Sequence, residues 1–143
     1  MPSPITNKAS TVWNGDLFHG SGSTTLETSG VGTFDVGWKA RAEESGGTTT
    51  PEELIAAAHA TCYSMAFSNE LAGNDTPPTQ VRTSAEVTFV AGTGITGIHL
   101  TVEATVPGIS EEAFQRIADA AKTGCPVSQA LKAVDITLTA TLA

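Results

Sequence analysis

The sequence predicts an α+β fold in the order β-β-β-α-β-β-α-β. An N-terminal antiparallel meander leads to a long buried central helix, a β-hairpin, a second helix and a C-terminal strand. Three observations predict it. Strict two-residue alternation of apolar and polar side chains recurs at 81–90, 98–106 and 134–142. No Asp, Glu, Lys or Arg lies between Leu54 and Ser68, in a chain with 15% charged residues, and a helix apolar all round is a buried helix. The strands come in runs with two principal helices between them, which favours α+β over a doubly wound α/β fold.

Taken in order, residues 8–18 read as a strand running into the Asn14-Gly15 turn signal. Thr24–Thr28 reads as a second strand and Thr33–Arg41 as a third, which enters a polar loop at Ala42–Thr50. The central helix starts at Pro51, with Thr50 as N-cap and Glu53 completing a Thr-x-x-Glu capping box. Gly73–Pro78 is a linker. In the hairpin that follows, Val81, Thr83, Ala85, Val87 and Phe89 share one face of the first strand. Ile98, Leu100, Val102, Ala104 and Val106 share one face of the second. Ser110 caps the second helix, Phe114, Ile117, Ala118 and Ala121 form its apolar stripe, and Gly124 ends it. Pro126 opens a short helix to Leu131, and Val134–Leu142 is the last strand.

The 143 residues, 1–143, suit a single domain able to bury one core. A formal charge of -8 with only seven Lys plus Arg argues against nucleic acid or an anionic membrane as partner. The opening Met-Pro-Ser-Pro-Ile-Thr-Asn has no apolar signal core, and the run around Leu54 is too short and too rich in Ala, Thr and Ser to span a bilayer. The expected compartment is the cytoplasm, where a structural disulfide is uncommon. The two cysteines, Cys62 and Cys125, are then either packing thiols or a redox pair.

Cys125 sits at the N-cap of the Pro126 turn, where helix N–H groups favour a thiolate. Cys62 lies mid-helix among small apolar residues, which raises its pKa unless a cation is brought to it. Arg41, at the end of the third predicted strand, is the candidate cation, and a solvated strand-end arginine is its plain alternative. Glu53 is occupied by the capping box, whereas Glu52 has no local duty beyond favourable charge at a helix N-terminus. His59, three residues before Cys62, is either a structural hydrogen-bonding residue or a base, and the former is the commoner outcome. The three histidines have no metal-ligand spacing, and Gly-x-Gly at Gly20–Gly22 and Gly92–Gly94 continues into no nucleotide fingerprint. No metal and no cofactor are expected.

Thr50-Pro-Glu-Glu-Leu-Ile-Ala-Ala-Ala-His-Ala-Thr-Cys-Tyr-Ser-Met65 and Ala121-Lys-Thr-Gly-Cys-Pro-Val-Ser-Gln-Ala-Leu131 resemble the two signature segments of the OsmC/Ohr family of thiol peroxidases. Trp13-Asn-Gly-Asp-Leu17, Val106-Pro-Gly-Ile109 and Ile136-Thr-Leu138 extend the resemblance over essentially the whole chain. It implies that Cys62 is the peroxidatic cysteine, that Cys125 resolves it to a disulfide, and that Glu52 is the active-site glutamate. Arg41 matches the arginine of the OsmC branch. Ala42 stands where an aromatic residue is usual, Thr50 stands where asparagine is, and the loop from Arg41 to Pro51 is one residue longer. The resemblance also implies an intertwined homodimer with active sites at the dimer interface, a small hydroperoxide as substrate, and an external dithiol reductant, dihydrolipoyl-type or another thiol; apolar surroundings favour organic over hydrogen peroxide. The implied biology is defence against oxidative or osmotic stress.

One expectation comes from geometry. Ten helical residues rise about 15 Å, so Glu52 and Cys62 of one straight helix cannot meet. If both serve one site, Glu52 comes from the partner chain. The competing classes are a non-enzymatic dimeric binding protein with two packing cysteines and a Cys62–His59 hydrolase. The latter would place base and nucleophile one turn apart on the same helix, an unusual arrangement.

Overall fold

The computed structural model describes residues 2–143 and has the expected α+β class, with six strands in two three-stranded sheets and four helices. Two compact units divide the chain at Pro51.

The N-terminal unit is the meander β1 (Ala9–Asn14), β2 (Ser21–Leu26) and β3 (Thr33–Val36), antiparallel in that order. Asn14-Gly15 does end β1, with Gly15 at φ +91°, but the connection runs through residues 15–20 rather than a two-residue turn. A side chain explains this. The Trp13 indole N–H donates to Gly15 O at 3.0 Å, and its ring lies across β2, where a Cβ on Gly22 would come within 2.8 Å of Trp13 Cε3. Gly20 and Gly22 thus allow close approach to Trp13 and to the β1 backbone.

The second strand lies at Ser21–Leu26 rather than Thr24–Thr28, because Glu27 and Thr28 turn back onto Lys8 O through their N–H groups. The third stops at Val36. Gly37 is extended, and Trp38–Ala42 then forms a short helix, α1, so Arg41 is helical and does not end a strand. Lys, Ala and Arg are good helix formers, and Lys39 and Arg41 fall in the last turn, where the dipole favours cations.

In the second unit α2 (Pro51–Gly73) begins at the predicted proline. The hairpin β4 (Gln80–Val90) and β5 (Gly94–Thr105) has the predicted register of faces, with β5 burying Ile98, Leu100, Val102 and Ala104. Ser110 Oγ accepts from Ala113 N–H at 3.2 Å and caps α3 (Glu111–Gly124). The helix buries the predicted stripe of Phe114, Ile117, Ala118 and Ala121. Then α4 (Pro126–Ala130) leads to β6 (Asp135–Leu142), which pairs parallel to β5 and makes β5 the central strand.

The core gathers Tyr63, Phe67 and Leu71 of α2, the α3 stripe and the inner face of β5. Phe67 meets Phe114 edge-on at 5.4 Å, and the Tyr63 hydroxyl donates to Ala118 O at 2.9 Å. Burial along α2 differs from the all-round expectation. Only Glu52, His59, Tyr63, Phe67 and Leu71 are buried, and the last four follow a four-residue spacing that makes a single stripe. The rest of the helix is uncharged from Leu54 to Ser68 yet partly or fully open, with Met65 69% exposed.

Candidate active site

Two places in the second unit carry the candidate thiols. On α2, Cys62 occupies a half-buried position one turn beyond His59. Cys125 joins α3 to α4: its N–H donates to Ala121 O at 3.0 Å, and its carbonyl accepts from Gln129 N–H at 3.0 Å. It is at once the last cap of one helix and the first of the next. Pro126 dictates this, because the residue before a proline is pushed out of the helical region, and Cys125 has φ −58° and ψ 126°. The corner carries the Cys125 side chain into the interior, where it is fully buried.

Both thiols are free, and they lie close enough to interact: Cys125 and the Val127 backbone N–H both act on the Cys62 thiol. Burial pushes the Cys62 pKa above the ordinary thiol value, the hydrogen bond to Cys125 and its charge push the same way, and the Val127 N–H partly offsets them. Burial, the cause expected for a mid-helix thiol, is the largest, and Cys125 adds to it.

Sign and test follow. Replacing Cys125 by alanine removes two contributions that hold Cys62 protonated, so the Cys62 pKa falls. The iodoacetamide alkylation rate of Cys62, followed against pH, is expected to reach half its plateau at a lower pH in Cys125→Ala than in the wild type.

His59 is fully buried. Its Nε2 lies 2.7 Å from Ser128 Oγ, its Nδ1 has no partner among the described residues, and burial lowers its pKa. Its imidazole is engaged with Ser128, and burial disfavours its charged form. Ser128 escaped the sequence reading. The signal was present: Cys125-Pro-Val-Ser128 has the same three-residue step as His59-Ala-Thr-Cys62.

Glu52 is buried at the second position of α2, and Arg41 lies on α1, partly buried. Because α2 runs unbroken from Pro51 to Gly73, Glu52 and Cys62 of one chain stand about 15 Å apart along the axis. Among the described residues, no group of three or more His, Cys, Asp or Glu could hold a metal ion. No helix among them is long and apolar enough to cross a membrane.

A helix-borne thiol met by a second thiol at a helix corner, behind a β4-β5-β6 sheet, defines a class of small α+β two-cysteine proteins. The family profile described as OsmC-like protein matches residues 44–139. The chain is 44% identical over 137 residues to Peroxiredoxin OsmC of Escherichia coli (strain K12), covering 94% of each sequence. The same identity and coverage hold for Peroxiredoxin OsmC of Shigella flexneri. The chain belongs to the OsmC family. Solved structures share its fold. An OsmC-like protein from Mycoplasma pneumoniae aligns with a TM-score of 0.74 at 16% identity, over 98% of this chain and 99% of that one. An organic hydroperoxide resistance protein from Elizabethkingia anophelis aligns at 0.72 and 22%, over the full length of both chains.

Proposed function

We propose that this protein is a peroxidase of the peroxiredoxin type that reduces organic hydroperoxides, and hydrogen peroxide less well, through Cys62 and Cys125. The carrying observation is that Cys62 on α2 and Cys125 at the α3–α4 corner, far apart in sequence, come within interaction range of each other. A packing cysteine has no need of a second thiol as its partner, whereas a resolving cysteine must stand beside the sulfur it condenses with. The relatives named Peroxiredoxin OsmC, at 44% identity, support the enzyme class.

The chemistry is that of a thiolate. Cys62 sulfur attacks the distal oxygen of the hydroperoxide, the O–O bond breaks, and the alkoxide leaves as alcohol after taking a proton. Cys62 is then a sulfenic acid. The Cys125 thiol displaces its hydroxyl as water, and a Cys62–Cys125 disulfide closes. An external dithiol, dihydrolipoyl or similar, is oxidised as it exchanges the disulfide back to two thiols. No cofactor takes part.

A thiol with a raised pKa is a poor nucleophile at neutral pH, so a cation must be supplied. By family resemblance, Arg41 supplies it and Glu52 orients Arg41. The chain functions as a single domain, 1–143, in a homodimer whose sites are composite, with Glu52 given to the neighbour's Cys62. The 15 Å rise of α2 and its open uncharged face support that arrangement. The expected setting is the cytoplasm under oxidative or osmotic stress.

The test is a thiol count. Reduced protein given one equivalent of tert-butyl hydroperoxide is expected to lose both free thiols per chain and form a disulfide. Retention of both thiols would remove the peroxidase and leave a binding protein.

A further inference from the structure

Two pairs of side chains face each other between α2 and the start of α4. Cys62 lies within interaction range of Cys125, and His59 Nε2 is 2.7 Å from Ser128 Oγ. The steps match: three residues separate His59 from Cys62 on α2, and three separate Cys125 from Ser128 across the cap and first turn of α4. The pairings run in opposite senses, so the contacts form two rungs between the same two elements. The His59–Ser128 rung is the deeper. His59 is 0% and Ser128 4% exposed, and the proposed chemistry uses neither.

The unpartnered His59 Nδ1 selects the tautomer. A buried N–H without an acceptor is rarer than a buried lone pair without a donor, so the proton sits on Nε2 and is donated to Ser128 Oγ. Moving α4 away would strand that donor in the interior as well. A rung of this kind fixes register, because no apolar neighbour can replace it.

We propose that His59 and Ser128 are positioning residues for the resolving step. Their hydrogen bond holds the Cys125 corner against α2 while Cys62 carries its sulfenic oxygen. The inference rests on the peroxidase role of the two cysteines. The step it serves is the condensation of Cys62–SOH with Cys125–SH to a disulfide and water. Closing an S–S bond requires the two sulfurs to approach to about 2.05 Å, and the rate depends on how often the corner presents Cys125 correctly.

The experiment separates the two steps in single turnover with tert-butyl hydroperoxide. Sulfenic acid formation is read by dimedone trapping, and closure by disulfide mass. Ser128→Ala is expected to form sulfenic acid at the wild-type rate but to close the disulfide roughly tenfold more slowly, with more trapped adduct. His59→Gln, whose amide nitrogen can donate from nearly the same place, is expected to close faster than Ser128→Ala. Unchanged closure in Ser128→Ala, equal slowing of both steps, or a His59→Gln protein as slow as Ser128→Ala would overturn the positioning role. A wild-type protein that keeps both thiols removes the peroxidase role and this inference with it. That outcome shows before any variant is made, so the two failures are distinguishable.

Discussion

Cys62→Ser is expected to lose hydroperoxide reduction by about a thousandfold or more, the scale at which an enzyme loses its nucleophile. Serine keeps the size and the hydrogen bonding of the side chain, so the fold around Tyr63 and Phe67 stays and only the chemistry goes. A neutral hydroxyl does not attack a peroxide oxygen, and the nearby His59 is engaged with Ser128. Cys125→Ser is expected to behave differently. It retains Cys62 and so consumes one equivalent of hydroperoxide per chain, then halts as a sulfenic acid that no internal thiol can condense with. Single-turnover peroxide consumption with mass spectrometry reads both outcomes. Turnover that survives Cys62→Ser but fails in Cys125→Ser would reverse the two roles, and ester hydrolysis surviving Cys125→Ser without peroxide would point to a hydrolase.

The second unit was legible in the sequence because its signals are local. Alternation in β4, β5 and β6, the Ser110 cap, the α3 stripe and the Pro126 corner each depend on residues a few places apart, and each is where the pattern puts it. The meander was less legible. Gly-, Ser- and Thr-rich strands carry little facial contrast, so their limits are set by contacts such as Trp13 across β2 and the turn of Glu27 onto Lys8, which periodicity does not report. Residues 33–41 read as one strand, but the chain breaks at the extended Gly37 and the helix formers Lys39, Ala40 and Arg41 wind into α1. At the site, both cysteines were legible as chemistry and the raised Cys62 pKa as physics. The His59–Ser128 bond was not, because it joins residues on elements far apart in the chain.

The open face of α2 bears on the largest remaining expectation. A stretch without charge from Leu54 to Ser68 is costly to leave in water, and in one chain only the His59-Tyr63-Phe67-Leu71 stripe is fully covered. A second copy packed about a twofold axis would cover the rest, and would also bring one chain's Glu52 toward the other chain's Cys62. Mixing decides it. Glu52→Gln and Cys62→Ser homodimers are each expected to be inactive or nearly so. If Glu52 serves the partner's thiol, a mixed dimer has one site lacking both residues and one site with both intact. Equal amounts of the two variants, unfolded and refolded together, give half mixed dimers with one good site in two. The expected recovery is therefore about a quarter of wild-type activity per chain. If Glu52 serves the Cys62 of its own chain, no site in any dimer is intact and mixing recovers nothing. The twofold symmetry leaves no intermediate value, so peroxide consumption before and after co-refolding separates a composite site from a self-contained one.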